Sequence, residues 1–321
     1  MVQNRREFLR TATGGIPPLL GCSCLGCIPA VIRHSDGQHG IPVVATTGMI
    51  ADLVRRLAKD AVQLTQLIAA GVDPHLYKPI RDDIVAIVNS RVVFYNGLKL
   101  EGRMADVLGN RSDNGRVHVP LSDALDPNIL LGEPGNDAPD PHIWMDVSQW
   151  SQTVPLIAKT LIAVLPHLES EINQSAQQLR LDLDQLDEQG RLAIATIPPK
   201  QRVLISSHDA FQYFGRRYGL EVEGVQGIST ASEAGLQRIP QLINKVIENG
   251  IPAVFKESSV AGKMIDAVIE GASARGIRLQ VGPELYSDAL GPKGSGADTY
   301  LGMMKHNFQA VTTALGGNWP H

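Results

Sequence analysis

Four short segments, spread almost evenly along the chain, each end in a side chain that can bind a metal. They are Gly-Val-Asp-Pro-His75, Pro-Asp-Pro-His142, Ile-Ser-Ser-His208 and Leu-Tyr-Ser-Asp288. Three imidazoles and one carboxylate make a complete ligand set for a dication the size of zinc or manganese. Successive candidates lie 67, 66 and 80 residues apart, so no single helix or hairpin can hold two of them. A site built from these four must be assembled by the whole fold, with two ligands from each half of the chain.

Local sequence supports three of these candidates and leaves the fourth with a simpler alternative. His75 and His142 both follow Asp-Pro, and proline restricts the backbone so that each imidazole projects from a rigid turn. His208 comes directly after an apolar segment predicted to be a strand. Asp288 has turn formation as its alternative role, because Ser-Asp is common in turns. The remaining histidines lack such a context and are predicted not to be ligands: His34, His39, His118, His167, His306 and His321.

The sequence offers little for catalysis. It has no His-Glu-x-x-His motif, no Gly-x-Ser-x-Gly elbow and no Gly-x-x-x-x-Gly-Lys phosphate loop. Catalytic zinc usually has three protein ligands and one open position, whereas four candidates are present here. We therefore expect a binding protein and not an enzyme.

Length and charge narrow the class further. At 321 residues the chain exceeds the usual size of one domain, so two domains are expected. A net charge of −4 and the absence of a basic stripe argue against a nucleic-acid partner.

The N-terminus has the features of an export signal. Arg5 and Arg6 lie in a twin-arginine-like sequence, and an apolar stretch follows at 16–32. Pro17 and Pro18 interrupt that stretch, which is too short and broken for a membrane-spanning helix of about 20 residues. We assign residues 1–30 to the signal and expect a periplasmic or cell-surface location.

All three cysteines lie in this N-terminal region, at Cys22, Cys24 and Cys27. The rest of the chain therefore has no disulfide, no cysteine zinc site and no cysteine nucleophile. Leu19-Leu20-Gly21-Cys22 resembles a lipobox, in which the cysteine becomes lipid-modified and anchors the protein to the membrane. Cleavage after Ala30, which would release a soluble protein, is the alternative.

The remaining sequence alternates between predicted strands and helices, which indicates α/β structure with mostly parallel sheets. The predicted strands are 43–45, 62–69, 91–95, 203–205, 222–225, 253–255 and 279–281. The predicted helices are 50–59, 80–89, 240–249, 264–275 and 300–315, with one long amphipathic helix at 167–194. These elements predict an N-terminal α/β lobe at 41–166, a linking helix at 167–197 and a C-terminal α/β lobe at 198–321. All four candidate ligands are expected in loops at the carboxyl ends of strands, where open α/β sheets bind ligands.

From about residue 43 to 315 the chain resembles the TroA-like zinc- and manganese-binding proteins of ABC transporters, also called cluster A-I. The segments that carry the resemblance are TTGMIAD at 46–52, GVDPHLYKP at 71–79, FYNGLKLE at 94–101, DPHIWMD at 140–146, SHDAFQYF at 207–214, QGIST at 226–230, ESSV at 257–260 and YLGMMKHN at 300–307. So many matches in the same order are highly specific.

The resemblance implies two α/β lobes joined by one rigid helix, with the metal at their interface. Its ligand positions fall on His75, His142, His208 and Asp288. Two departures leave the metal open between Zn²⁺ and Mn²⁺. The loop at 126–141 lacks the histidines common in zinc-dedicated members, and His208 stands where many manganese members have glutamate.

We therefore predict an exported, lipid-anchored, monomeric solute-binding protein that captures Mn²⁺ or Zn²⁺ and delivers it to an ABC transporter permease for import. The alternative is a metal-binding surface adhesin or chelating protein without a transporter, and metal-dependent contact with a permease would separate the two. A metallohydrolase is a more distant possibility, which would require a vacant coordination position.

Overall fold

The computed structural model describes residues 40–109, 112–113, 115–132, 138–231 and 237–320. The predicted export signal and the lipidation candidate Cys22 lie outside these residues. Within them the fold is α/β, with parallel sheets and one long helix, so the predicted fold class is confirmed. Among the described helices, none combines the length and the apolar character needed to cross a membrane.

The described elements alternate along the chain. The strands are β1 (Ile41–Ala45), β2 (Val62–Gln66), β3 (Val92–Tyr95), β4 (Ser112–Asp113), β5 (Arg116–Pro120), β6 (Val203–Ser206), β7 (Glu221–Gly224), β8 (Ala253–Val254) and β9 (Gln280–Val281). The helices are α1 (Gly48–Ala58), α2 (Arg81–Asn89), α3 (Ala105–Leu108), α4 (Val147–Ser151), α5 (Val154–Val164), α6 (Glu169–Ile194), α7 (Gln212–Tyr218), α8 (Arg238–Asn249), α9 (Lys263–Ala274) and α10 (Tyr300–Ala314).

The N-terminal sheet has the strand order β2-β1-β3-β5-β4, and all its pairings are parallel except that of β4 with β5. The chain leaves β1 toward β2 on one side and reaches β3 on the other. This reversal places a crevice between the carboxyl ends of β1 and β3, where open α/β sheets bind ligands. Val43, Val44 and Ala45 of β1 are all buried, as expected for a strand covered on both faces.

The second half contains two parallel pairs, β6 with β7 and β8 with β9. A backbone hydrogen bond from Phe255 N to Ile205 O, at 2.9 Å, places the β8 segment beside β6. His208 therefore follows a strand in the middle of this strand group.

Helix α6 is 26 residues long and lies between the two halves in sequence. Its buried apolar side chains recur at helical spacing and include Ile172, Leu179, Leu183 and Leu186. Such a stripe packs along its whole length against neighbouring elements, so the helix has an apolar face toward the core.

The structure corrects several predicted boundaries. Strand β2 ends at Gln66, although Leu67 and Ile68 still donate backbone hydrogen bonds to Ala45 O and Thr46 O. The chain turns only after them, where Val72 N donates to Ala69 O. Helix α6 begins at Glu169 because Pro166 starts a separate 3₁₀ turn. The prediction that every candidate ligand follows a strand is wrong for His142, which a long segment separates from the end of β5.

Gly190 of α6 lies against the ring of Phe308 in α10, where an added Cβ would be 2.4 Å from ring carbons. We expect Gly190→Ala to lower the free energy of unfolding by about 1–3 kcal/mol, because overpacking outweighs the gain in helix propensity of about 1 kcal/mol. Urea denaturation followed by circular dichroism measures this change.

Gly271→Ala in α9 is the matched control. Its Cβ would approach the terminal Cδ1 of Ile243, which can rotate away, so this variant should be nearly neutral. Equal destabilisation of the two variants would show that the fixed ring of Phe308 does not limit the packing of α6.

Candidate metal centre

The two Asp-Pro-His segments form the same local turn. The backbone N–H of His75 donates to Asp73 Oδ1 at 2.8 Å, and that of His142 donates to Asp140 Oδ1 at 3.0 Å. In both cases the aspartate accepts from the residue two positions later, while proline restricts the backbone between them. Each histidine is therefore held at its backbone by its own motif.

His142 also depends on a contact from the N-terminal sheet. Asn96, the residue after β3, donates through Nδ2 to Pro141 O at 2.9 Å. Glu101 holds Asn96 in turn, because its buried carboxylate accepts from Asn96 N at 2.7 Å and from Gly97 N at 3.3 Å. The residues at the end of β3 thus hold the His142 segment, which does not itself follow a strand.

The two candidates from the second half are held by other means. His208 follows β6, and its backbone N–H donates to Glu257 Oε1 at 2.9 Å. Asp288 lies in a loop whose backbone is bonded at Tyr286 by Asn307 and at Ser287 by the indole of Trp144.

The structure brings all four candidates together. The Nε2 atom of His142 lies 3.2 Å from His75 Nε2 and 3.4 Å from His208 Nε2. Asp288 places Oδ1 3.4 Å from His142 Nε2 and Oδ2 3.3 Å from His208 Nε2. Each of the four residues offers one ligand atom, a ring nitrogen or a carboxylate oxygen, and these four atoms all lie within 4.8 Å of one another.

These separations suit a common metal ion. Atoms held 2.0–2.1 Å from a tetrahedral centre are roughly 3.3–3.4 Å apart, which matches the imidazole and carboxylate distances. His142 and His208 are fully buried, Asp288 is 1% exposed, and His75 is half-buried. The four ligand atoms therefore meet in the protein interior, and His75 is the ligand that solvent partly reaches.

Asp288 is the least conventional member of the cluster. Both of its oxygens are buried, and neither has a hydrogen-bond partner of good geometry among the described residues. Each oxygen instead faces an imidazole nitrogen. An unpartnered buried carboxylate is costly unless a cation compensates it.

Two further carboxylates orient the imidazoles. Asp140 Oδ1 lies 2.7 Å from His142 Nδ1, and Glu257 Oε2 lies 2.5 Å from His208 Nδ1. Because Nδ1 then carries the hydrogen, Nε2 is left with its lone pair toward the cluster, which is the usual arrangement around metal-binding histidines. Neither Asp140 nor Glu257 was predicted from the sequence to orient a ligand. The repeated Asp-Pro-His pattern is a signal for Asp140, whereas nothing local identifies Glu257.

The environments shift the pKa values of the cluster in opposite directions. Burial lowers the pKa of His75 to about 4. Burial also disfavours the charged form of His142, but Asp140 and then Asp288 raise its pKa to about 9. For His208, Glu257 and Asp288 overcome burial and raise the pKa well above the usual value. Burial opposes ionisation of Asp288, but the facing imidazoles hold its pKa well below its usual range.

The other described histidines do not join this cluster. His118 is buried with Nδ1 3.3 Å from Leu108 O, and His306 places Nε2 2.8 Å from Glu284 O. His167 lies in the 3₁₀ turn before α6. His34, His39 and His321 lie outside the described residues.

In protein stripped of metal by a chelator, we expect the imidazole of His142 to titrate near pH 9 and that of His75 near pH 4. Asp140→Asn should lower the pKa of His142, because burial is then opposed by fewer charges. NMR titration of the ring resonances measures both values, and Asp126→Asn in an exposed turn is the control.

The raised pKa of His142 also affects the free energy of unfolding of the metal-free protein. Because the folded-state pKa of His142 exceeds the ordinary value of 6.5, its protonation stabilises metal-free protein fully below about pH 6.5, and this contribution is lost as the pH rises through about 9. A His142 pKa that Asp140→Asn leaves unchanged would show that this ion pair does not control the ring.

Comparisons with known proteins agree with this geometry. Residues 43–314 match the family described as ZnuA, zinc-uptake complex component A, periplasmic. The manganese-binding lipoprotein MntA of Bacillus subtilis is 40% identical over 283 residues, which cover 88% of this chain and 92% of that protein. The zinc-binding protein TroA of Treponema pallidum is 39% identical over 303 residues, which cover 92% and 97%.

Solved structures give the same result. The periplasmic zinc-binding protein TroA from Treponema pallidum superposes with a TM-score of 0.82 at 39% identity and covers 86% of this chain and 99% of that one. Fe(III)-bound YtgA from Chlamydia trachomatis superposes with a TM-score of 0.78 at 28% identity and covers 88% and 100%. The resemblance found in the sequence is confirmed, and the chain belongs to the ZnuA family, which includes the TroA-like metal-binding proteins.

Proposed function

We propose that this protein binds Mn²⁺ or Zn²⁺ outside the cytoplasm and delivers the ion to the membrane permease of an ABC transporter for import. His75, His142, His208 and Asp288 are the ligands. The observation that carries this proposal is the buried carboxylate of Asp288, whose two oxygens face imidazole nitrogens at 3.3 and 3.4 Å and have no hydrogen-bond partner of good geometry among the described residues.

Charge supports a cation at this point. Three buried carboxylates surround the cluster. Asp140 and Glu257 contact Nδ1 of His142 and His208, respectively, whereas Asp288 faces Nε2 of His142. Buried carboxylates are stable only when paired with positive charge and hydrogen bonds. A dication supplies that charge and lets the imidazoles bind in their neutral form.

The donor set is compatible with both metals. Three imidazole nitrogens favour the later divalent ions, so Zn²⁺ binds more tightly than Mn²⁺ in solution. Asp288 can add a second hard oxygen, which gives the higher coordination number that Mn²⁺ accepts. Relatives named for manganese and for zinc are almost equally similar to this chain, so cellular supply decides which metal is carried.

Transport, and neither adhesion nor catalysis, is the role we propose. A relative from Streptococcus anginosus, 26% identical, is named a manganese ABC transporter substrate-binding lipoprotein, which supports a permease as the partner. The lobes at 41–166 and 198–321, joined by the helix at 167–197, close around the ion in a monomer. Four protein ligands, one of them able to use two oxygens, leave little room for a reactive water.

Replacing any one ligand by alanine should weaken metal binding by at least about tenfold, because one bond of four is lost and a buried partner is left uncompensated. We expect this for His142→Ala in particular. Isothermal titration calorimetry with Zn²⁺ and Mn²⁺ measures the affinities.

His306→Ala is the matched control, since His306 of α10 bonds the backbone carbonyl of Glu284 and lies outside the cluster. Its affinities should equal those of the unmodified protein. Unchanged binding by the His142 variant would refute the proposed ligand set.

The N-terminal signal should be removed on export, and Cys22 should carry lipid at the new N-terminus. Replacing Arg5 and Arg6 together by lysine is expected to leave precursor in the cytoplasm, because the twin-arginine pair is the proposed export determinant. Mass spectrometry of the protein from membranes identifies the modified cysteine, and Cys27→Ala serves as the control variant. A mature chain that begins at Val31 would exclude the lipid anchor but retain export.

A further inference from the structure

Asp288 is held differently from the histidines beside it. The rings of His142 and His208 are each fixed at Nδ1 by a carboxylate, at 2.7 and 2.5 Å. The carboxylate of Asp288 has no such partner among the described residues. Its position therefore depends on the backbone that carries it.

Two fully buried side chains fix that backbone. Trp144 donates through its indole N–H to Ser287 O at 2.8 Å. Asn307 of α10 donates through Nδ2 to Tyr286 O at 2.7 Å and accepts from Tyr286 N at 3.0 Å. Three hydrogen bonds thus hold the two residues that precede Asp288.

Trp144 also belongs to the segment of another ligand. It follows His142 by two residues, and its ring lies 5.3 Å from the imidazole, centroid to centroid, in an edge-on arrangement. Its own carbonyl accepts from Tyr300 Oη at 2.6 Å. One side chain therefore connects the His142 and Asp288 segments, independently of any ion between them.

We infer that Trp144 and Asn307 are positioning residues that keep both oxygens of Asp288 directed at the metal and thereby set the ratio of Zn²⁺ affinity to Mn²⁺ affinity. This inference rests on the proposed function. With Oδ1 facing His142 and Oδ2 facing His208, the site offers five donor atoms. A carboxylate free to rotate would offer one oxygen, and the resulting four-donor site favours tetrahedral Zn²⁺ over Mn²⁺.

Trp144→Phe tests this directly, because the phenyl ring still packs against His142 while the N–H to Ser287 O is lost. We expect the ratio of Zn²⁺ affinity to Mn²⁺ affinity to rise about tenfold, the effect of losing one buried hydrogen bond. Competition titrations measure the ratio. The visible absorption of the Co²⁺ form should also strengthen, since four-coordinate Co²⁺ absorbs more strongly than five-coordinate Co²⁺.

Trp150→Phe is the matched control. Trp150 is as deeply buried, packs near Tyr300 with ring centroids 5.8 Å apart, and its indole nitrogen has no partner among the described residues. Its replacement removes similar bulk without freeing a ligand segment, so the affinity ratio and the Co²⁺ spectrum should not change.

Asn307→Ala provides the second variant, which acts on the same loop from α10 and should shift the ratio in the same direction. It supplies the test on its own where Trp144→Phe does not fold. If the unmodified protein binds Zn²⁺ and Mn²⁺ but neither variant changes the ratio relative to Trp150→Phe, the inference is wrong and the proposed function stands. If the unmodified protein binds neither ion, the proposed function is wrong, and the inference that rests on it is wrong with it.

Discussion

The burial of one carboxylate against three imidazoles is the constraint on which the rest of this structure depends. The Nε2 atoms of His75, His142 and His208 approach to 3.2 and 3.4 Å, and the raised pKa values of His142 and His208 favour two charged rings in contact when no ion is present. The buried, ionised carboxylate of Asp288 adds a desolvation cost of several kcal/mol. A flexible fold would separate these groups, so the surrounding structure must hold them against their own electrostatics.

That support comes mainly from hydrogen bonds to the backbone next to each ligand. Pro141 O accepts from Asn96, Asp140 O accepts from Tyr213 Oη at 2.9 Å, and Ser287 O accepts from Trp144. These bonds place the ligand segments. The side chains that meet at the cluster are three imidazoles and one carboxylate. Such a nitrogen-rich set does not suit Ca²⁺, which takes six to eight oxygen ligands.

Sequence patterns predicted the elements with continuous apolar runs or clear helical spacing and missed those defined by tertiary packing. The strands β1, β3 and β6 are apolar runs, the long helix α6 has helical spacing, and all four were identified close to their bounds. Strand β5 was missed because His118 and Arg116 interrupt its apolar pattern, although pairing with β3 buries its end.

The residues of the candidate site also fall into a group that local sequence predicts and a group that it does not. The four clustered residues carry local signals, three of them from proline turns or a strand end. Glu257 contacts His208 across 49 residues of sequence, and Trp144 contacts Ser287 across 143. No local spacing encodes such contacts, since they arise only when separate loops meet in the folded chain. Residues that orient ligands are therefore harder to find in a sequence than the ligands themselves.

The two Asp-Pro-His segments show how far a motif determines chemistry. Both form the same backbone turn, yet Asp140 also reaches the ring of His142, whereas Asp73 directs its second oxygen to Thr230 Oγ1 at 2.6 Å. The pKa of His142 is accordingly about 9 and that of His75 about 4. An imidazole backed by a carboxylate is the more basic donor, so identical triplets supply ligands of unequal strength. The motif fixes the backbone position of each histidine, and the strength of each ligand depends on whether the aspartate of the same motif also reaches the ring.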